Sequence, residues 1–165
     1  MKARILIVDG YNIIGSWDEL KTLKKTDLGS SRAQLIAIMS AYYPWCWERI
    51  IIVFDGRHFS WEHVDGIEVV FTGGRETADT MIERLAAGLS SYDRVEVATS
   101  DFAEHRAASN LGASVLSAEA LYERMAEERS SYQRRLTKKS GQKGIRFNDL
   151  LQKSVLDNLE RLRRP

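Results

Sequence analysis

The chain has 165 residues, of which 44% are hydrophobic and 28% charged, and its formal net charge is +1. This composition is ordinary for a globular protein, and the length suffices for one domain that buries about 70% of its unfolded surface. A single cysteine, Cys46, excludes an internal disulfide framework. The first apolar run is too short for a signal peptide, and no stretch is long enough to span a membrane. We therefore expect a cytoplasmic protein with no membrane partner.

The charges are unevenly distributed along the chain. Residues 134–165 contain ten basic and three acidic residues, a net charge of +7, whereas the other 133 residues contain 14 basic and 20 acidic residues, a net charge of −6. A basic tail on an acidic body suggests that the tail holds a polyanion and that carboxylates on the body hold a metal ion. A solvated, disordered tail has the same composition, so both interpretations stay open here.

The first predicted element is the apolar run 5–8, four consecutive aliphatic residues that end at Asp9 and Gly10. Such a run predicts a strand buried on both faces, as at the centre of a parallel sheet. Gly10 would allow the backbone to turn sharply there. Ligands of open α/β sheets bind beyond the carboxyl ends of the strands, so Asp9 lies where a site is expected. Alternatively, Asp9 only caps the following helix through Asn12.

The spacing of apolar residues predicts alternating strands and helices in the rest of the chain. The predicted strands cover 5–8, 50–54, 66–72, 95–99 and 113–116, and the predicted helices cover 18–25, 30–43, 77–89, 101–110 and 117–136. The strand over 66–72 alternates in polarity, which places it nearer an edge of the sheet. The fold class is therefore α/β, a three-layer α/β/α sandwich with a mostly parallel sheet of about five strands.

The C-terminal segment is predicted to be separate from this sandwich. Residues 137–144 are polar, basic and rich in glycine, which predicts a flexible linker. Asn148 can cap a final helix whose leucines form one apolar stripe, and that stripe needs a surface on which to dock. We therefore divide the chain into a domain over residues 1–136 and a basic linker with a C-terminal helix over residues 137–165.

Acidic residues recur where the predicted strands end. Asp9, Asp55 and Asp101 each follow a strand, and an acidic cluster, Glu76 to Asp79, opens the helix after the third strand. Right-handed crossovers bring the carboxyl ends of parallel strands to one edge, so these side chains can converge. Carboxylates held close together repel one another unless a cation neutralises them. The alternative is that each acid is a helix cap or a surface group.

The residue types at this edge favour a hard divalent cation. No set of cysteines and histidines has the spacing of zinc ligands, and oxygen ligands alone suit Mg²⁺ or Mn²⁺. Such an ion supports the hydrolysis of phosphodiester bonds. The chain lacks the phosphate-binding loop of nucleotide hydrolases, the dinucleotide-binding fingerprint and the nucleophile elbow. Aspartyl phosphatases need a second acid two residues after the first, where this chain has Tyr11 and Arg57.

Four short motifs together resemble a known family. They are Val8-Asp9-Gly10-Tyr11-Asn12, Val53-Phe54-Asp55, Glu76-Thr77-Ala78-Asp79 and Ala98-Thr99-Ser100-Asp101. In this order they are similar to the YacP-like branch of the NYN domains, which are relatives of the PIN nucleases, over roughly residues 4–125. The resemblance implies a PIN-like fold and an endoribonuclease that depends on Mg²⁺ or Mn²⁺.

The resemblance also implies roles for the catalytic candidates. Asp9, Asp79 and Asp101 correspond to the acidic metal site of the family and would hold the ion directly or through its water. Asn12 is the amide beside the first acid, and it would orient Asp9, contact the scissile phosphate or only stabilise a turn. Asp55 is a further acidic member of the site, expected outside the direct ligands.

RNA is the expected partner, and the ribosome is a further candidate. Arg57, Arg75 and Arg106 are candidate contacts for RNA phosphates, as is the pair Lys24-Lys25, while Ser100 and Thr99 would hydrogen-bond a phosphate or a carboxylate. Trp17 and Trp61, on predicted loops, are candidates for base stacking. Two other functions stay open: a catalytically silent RNA- or ribosome-binding module, and a phosphatase for small phosphorylated metabolites. The sequence leaves the oligomeric state open.

Overall fold

The computed structural model describes residues 2–43, 46–91 and 93–139, apart from the side chains of Phe102, Glu104, His105 and residues 136–139. The strands are β1 (Arg4–Asp9), β2 (Arg49–Phe54), β3 (Ser60–Val64), β4 (Ile67–Phe71), β5 (Arg94–Ala98) and β6 (Ser114–Leu116). The helices are α1 (Gly10–Ser16), α2 (Asp18–Lys24), α3 (Leu28–Tyr42), α4 (Ala78–Leu89), α5 (Phe102–Asn110) and α6 (Ala118–Lys139).

The strands form one sheet in the order β3-β4-β2-β1-β5-β6. Every neighbouring pair is parallel except β3 and β4, which are antiparallel. Helices α1, α2, α3 and α6 contribute to the core on one face of the sheet, and α4 and α5 contribute to the core on the other. The predicted three-layer sandwich with a mostly parallel sheet is therefore confirmed.

The central strand β1 explains why the sequence needs an uninterrupted apolar run. Leu6 and Val8 pack into the core beneath α1 and α3, whereas Ile5 and Ile7 pack into the core beneath α4. All four side chains are buried. Because successive side chains of a strand point to opposite faces, a strand covered on both sides must be apolar at every position.

The sheet has six strands in the described residues, one more than predicted, because β3 was taken as a loop. Its three central residues, Trp61, Glu62 and His63, are all exposed, so the segment lacks the alternation of a half-buried strand. A signal was present in the turn that follows. Asp65 and Gly66 both have positive φ (49° and 88°), and an Asp-Gly pair between two strands is typical of a tight hairpin.

The predicted third strand corresponds to β4, which lies beside the edge strand as expected. Its apparent alternation is misleading, because Glu68 is buried rather than exposed. Glu68 is paired with the guanidinium of Arg49, and it accepts a hydrogen bond from Nε1 of Trp61 at 2.8 Å. These partners compensate for the burial of its charge.

Helix α6 continues to Lys139, three residues into the segment predicted to be a linker. The rest of that linker and the predicted final helix lie outside the described residues. Among the helices that the structure describes, none is both long enough and apolar enough to cross a bilayer.

Two side chains singled out in the sequence are part of the core. Cys46 is buried, and burial raises the pKa of its thiol to about 11, so the thiol is protonated at neutral pH, as an inert packing role requires. Trp17 is not available for base stacking, because it is buried between α1 and α2. Its Nε1 donates to the carbonyl oxygen of Ala118 at 2.9 Å, and its ring contacts Tyr122 edge to face.

Candidate active site at the carboxyl edge of the sheet

The predicted convergence of strand ends is present in the sheet. In the register of the parallel strands, Asp9 at the end of β1 pairs with Val53, and the preceding residue of β1 pairs with Ala98, the last residue of β5. Asp55 and Asp101 therefore follow the two strands that flank β1, at the same edge as Asp9. The edge at which β1, β2, β4 and β5 end is called the carboxyl edge below.

Each of these three aspartates caps the N-terminus of a helix. Asp9 Oδ1 accepts a hydrogen bond from the third backbone N–H of α1 at 3.3 Å, and Asp101 Oδ1 accepts one from the second N–H of α5 at 2.8 Å. Asp55 Oδ1 accepts one from the first N–H of α4 at 2.8 Å, across 23 residues. All three aspartates therefore cap helices, and each carboxylate lies at a helix N-terminus, where the helix dipole favours negative charge. That they also hold a metal ion stays a prediction.

Asp79 differs from the other acids of this edge. It lies in the first turn of α4 and makes no hydrogen bond or ion pair with another described residue. Partial burial and the nearby negative charges of Asp101 and Asp55 raise its pKa. Asp79 is therefore close enough to Asp101 and Asp55 to be repelled by both, which is the electrostatic situation that a bound cation relieves.

Asn12 and Ser100 join the two central loops of the edge. Asn12 Oδ1 accepts the backbone N–H of Ser100 at 2.8 Å, which fixes the orientation of the amide. Its Nδ2 group has no hydrogen-bond partner among the described residues, so the edge presents a neutral donor beside Asp9. Ser100 Oγ accepts the backbone N–H of Ala118 at 3.0 Å and ties this loop to the start of α6.

Two other polar residues of the edge have structural partners. Thr99 is fully buried, and its Oγ1 accepts the backbone N–H of Asp101 at 3.1 Å, so it shapes the loop instead of contacting a substrate. Glu76, the first residue of the acidic cluster before α4, pairs with Arg84 at 3.1 Å. The side chain that caps α4 locally is Thr77, whose Oγ1 accepts from Thr80 N.

The predicted substrate contacts surround this edge. Arg57 follows β2 and Arg75 precedes α4, and the two loops are joined by a hydrogen bond from Gly74 N to the carbonyl oxygen of Arg57 at 3.2 Å. Arg106 lies in the second turn of α5. All three side chains are exposed, and none forms an ion pair with another described residue. The lysine pair 24–25 ends α2, also in exposed positions.

Sequence reasoning missed one cation at this edge, Arg32 in the second turn of α3. Its Nη1 donates to the hydroxyl of Tyr11 at 3.0 Å, and its guanidinium carbon lies 5.7 Å from the centre of the Phe71 ring. These contacts join residues that are 21 and 39 positions apart. The helical spacing of α3 gives no sign of them, since it marks only the residues that face the core.

An exposed aromatic side chain was also missed. Phe59, in the loop before β3, is 58% exposed and lies against Gly73 in the loop after β4. Trp61, two residues later, is 38% exposed and lies on a strand instead of the predicted loop, and its role in base stacking stays a prediction. The two rings can share one face of the extended chain, since alternate residues of a strand point the same way.

The donors at the carboxyl edge suit a hard cation in kind, because they are carboxylate, amide and hydroxyl oxygens. Among the described residues, however, no three Asp, Glu, His or Cys side chains are arranged to hold a metal ion by themselves. Mg²⁺ commonly keeps several waters and binds protein through one or two carboxylates. The edge therefore fits a largely hydrated ion better than one enclosed by protein ligands.

Comparison with known proteins agrees with this geometry. The model of the YacP-like NYN domain family matches residues 6–164. The chain belongs to the YacP-like NYN domain family. Since the match extends to residue 164, it includes nearly all of the segment 137–165 that the sequence analysis separated from the domain. The family is one of nuclease-like, PIN-like domains, which generally use divalent metal ions.

Relatives of this YacP-like chain cover nearly all of its length. It is 36% identical over 165 residues to the uncharacterized protein YacP of Bacillus subtilis, covering 97% of this chain and 96% of that protein. It is similar to the crystal structure of Rae1 (YacP) from Bacillus subtilis, with a TM-score of 0.70 over 97% of this chain and 94% of that one. A point mutant of Rae1 gives a TM-score of 0.71, with coverage of 93% and 91%.

Proposed function

We propose that the chain is an endoribonuclease that hydrolyses phosphodiester bonds of RNA with Mg²⁺ or Mn²⁺. The observation that carries this proposal is that Asp9, Asp55 and Asp101 end or follow neighbouring parallel strands at one edge of the sheet. Asp79 lies nearby, and its pKa is raised by partial burial and, to a smaller extent, by the charges of Asp101 and Asp55. A protein that only binds RNA gains nothing from negative charges placed where the polyanion would lie. Membership of a nuclease-like family supports the same conclusion.

In this proposal Asp9, Asp79 and Asp101 hold the ion or its waters, and Asp55 sets the position of α4 through its bond to Ala78 N. When bound, the ion would polarise the phosphoryl group and lower the pKa of a water molecule. The other residues of the edge would position the RNA. Asn12 Nδ2 would donate to a non-bridging phosphate oxygen, because its Oδ1 is already occupied by Ser100 N.

The cations of the edge would hold the RNA backbone on either side of the cleaved bond. Arg57, Arg75 and Arg106 are exposed and make no ion pair with another described residue, so their charges are available to phosphates. Ser100 would add a hydroxyl donor, since its oxygen accepts from Ala118 N while its proton is not used there. The basic segment 134–165, with a net charge of +7, would add affinity for RNA, and ribosomal RNA is a candidate for that contact.

The test is cleavage of a single-stranded RNA by the full-length chain with Mg²⁺, with Mn²⁺ and with EDTA. Cleavage should require the metal and fall on the order of 100-fold or more in Asp79→Asn, since a preorganised charge at the reaction centre is lost. Glu83→Gln is the matched control, because Glu83 is an exposed acid one turn further along α4. The same reactions should be run on RNA engaged by ribosomes, which tests the proposed partner.

The rival is the catalytically silent RNA- or ribosome-binding module, and the helix caps made by Asp9, Asp55 and Asp101 favour it. It predicts RNA binding that depends on salt and on residues 134–165, with no cleavage of free or ribosome-engaged RNA. Cleavage that survives Asp79→Asn, or that persists in EDTA, would contradict the metal-dependent assignment.

A further inference from the structure

The guanidinium of Arg32 lies at the carboxyl edge, and no described carboxylate forms an ion pair with it. Among the described residues its contacts are the hydroxyl of Tyr11, 3.0 Å from Nη1, and the face of the Phe71 ring, 5.7 Å from the guanidinium carbon. Arg32 interacts weakly with Asp27, whose pKa is lowered by hydrogen bonds from Ser30 and, to a smaller extent, by the charge of Arg32. The carboxylate of Asp27 is already used to cap α3 through Ser30.

A half-buried arginine normally has an anionic partner, because partial removal of its charge from water is costly. Arg32 instead has one neutral acceptor and one aromatic face. Each restricts the guanidinium without neutralising it. The planar group can donate five hydrogen bonds, of which one is made to another described residue, so most of its donors remain available. This is the arrangement of a preformed anion site.

The two supports of Arg32 pack against one buried ring. Tyr11 contacts Phe54 with ring centroids 5.0 Å apart, and Phe54 stacks on Phe71 at 5.3 Å with 24° between the planes. Phe54 is fully buried as the last residue of β2, and Phe71 is the last residue of β4. The guanidinium therefore lies near the carboxyl ends of β2 and β4, held by one hydrogen bond and one cation–π contact.

The distance between the Arg32 guanidinium and the aspartates of the edge decides which phosphate of an RNA strand the guanidinium can bind. Tyr11 is two residues after Asp9, but Phe71 ends β4, which is two strands away from β1 in the sheet. With neighbouring strands about 4.8 Å apart, the guanidinium lies on the order of 10 Å from the end of β1. That separation is too large for the phosphate under attack and suits another phosphate of the same strand.

We propose that Arg32, aimed by Tyr11 and Phe71, binds a phosphodiester of single-stranded RNA next to the one that is cleaved, and so positions the substrate across the carboxyl edge. The proposal rests on the proposed function, because it takes RNA as the ligand. It assigns to α3 a role in substrate binding beside the loops that follow the strands. Arg32 is a positioning residue in this scheme and does not touch the reacting atoms.

The test measures binding separately from cleavage. The full-length chain is titrated into a fluorescein-labelled single-stranded RNA in EDTA, where no metal-dependent cleavage occurs, at several salt concentrations. Arg32→Gln should weaken binding and reduce the slope of log K against log salt by about 0.7, the value for one phosphate contact on a single strand. Arg32→Lys should restore the slope but not the full affinity, because lysine keeps the charge and loses the planar fork.

Two further variants separate positioning from a structural role. Arg94→Gln is the matched control, because Arg94 is an exposed arginine at the start of β5, at the opposite end of the strand from the carboxyl edge. It should leave the slope unchanged. Tyr11→Phe keeps the ring and removes the acceptor, so it should weaken binding without changing the slope.

The possible outcomes distinguish this proposal from the proposed function. An unchanged slope in Arg32→Gln, or a slope lowered equally by Arg94→Gln, refutes the phosphate contact, and so does a wild-type chain that does not bind the RNA. Cleavage that needs Asp79 but is indifferent to Arg32→Gln also refutes it while leaving the nuclease assignment intact. RNA binding through Arg32 without any cleavage supports the contact and refutes the nuclease.

Discussion

Gly10 offers the most direct test of how the candidate site is built. A Cβ atom at this position would lie 2.2 Å from Cε1 and 2.4 Å from Cδ1 of Phe54. Real Cβ atoms do not approach carbon this closely, so either the ring or the backbone of α1 must move. Phe54 is fully buried and in contact with the rings of Tyr11 and Phe71, so its ring has no vacant space to enter. Gly10 is therefore required by packing.

Gly10→Ala should accordingly destabilise the protein. Forcing an extra methyl group into a well-packed core costs about 1–3 kcal/mol. For a chain of this length, 1 kcal/mol corresponds to about 2–4 °C in Tm, so the expected decrease is about 2–12 °C. Gly15→Ala is the matched control in the same helix, because nothing lies within 4 Å of its Cβ position. It should instead stabilise the helix by about 0.5–1 kcal/mol.

The measurement is urea unfolding of the two variants, followed by a double-mutant cycle with Phe54→Leu. Because leucine removes the ring atoms that meet the new methyl group, the combined change should cost less than the sum of the single changes, by about 0.5–3 kcal/mol. A Gly10→Ala protein as stable as the wild type, or strict additivity with Phe54→Leu, would falsify the packing argument. Cleavage should also fall, since Gly10 adjoins Asp9.

Three other variants test the electrostatics and hydrogen bonds of the chain. Because the pKa of Asp79 is raised, its charged form lowers the stability of the fold at neutral pH. In EDTA, Asp79→Asn should therefore raise Tm at pH 7.5, and the increase should shrink as the pH falls towards 4. A lower Tm of this variant at pH 7.5 would contradict the raised pKa. Asn12→Ala removes the acceptor of Ser100 N, so it should lower the free energy of unfolding in urea by about 1 kcal/mol and reduce cleavage. Unchanged stability would show that this hydrogen bond contributes nothing. Burial raises the pKa of Glu68, but hydrogen bonds from Arg49 and Trp61 outweigh it and lower the pKa overall, so the charged carboxylate stabilises the fold at neutral pH and this contribution is lost in acid. Glu68→Gln should therefore be less stable than the wild type at pH 7 and approach it below about pH 4. A stability difference that stays constant with pH would exclude this linkage.

The fold could be predicted because burial on two faces leaves a pattern in the chain. The runs 5–8 and 50–54 are central strands, and the acids that follow them meet at one edge, as right-handed crossovers require. The edge strand β3 could not be found in this way. With its centre exposed, no side chain of Trp61, Glu62 or His63 has to be apolar, and only the Asp-Gly turn after it carries information.

Predictions about individual side chains were less secure, because they depend on contacts between distant residues. Gly10 was expected to permit a turn, yet it is the first residue of a helix and is needed for its contact with Phe54, 44 positions away. Trp17 was expected on a loop and is buried against α6. The residue types were informative, but the burial of each residue depends on which helix packs against it, and that helix can lie far away in the sequence.

The same distant contact connects the two sides of the candidate site. Gly10 follows Asp9 directly, and the ring that packs against it, Phe54, also contacts Tyr11 and Phe71, which hold the guanidinium of Arg32. A displacement of that ring would therefore move both the first acid and the proposed phosphate contact. Loss of cleavage in Gly10→Ala should for this reason be accompanied by weaker RNA binding in EDTA. Asp79→Asn, by contrast, should lower cleavage on the order of 100-fold or more without weakening RNA binding in EDTA, because it removes a negative charge and leaves Gly10 and Phe54 unchanged.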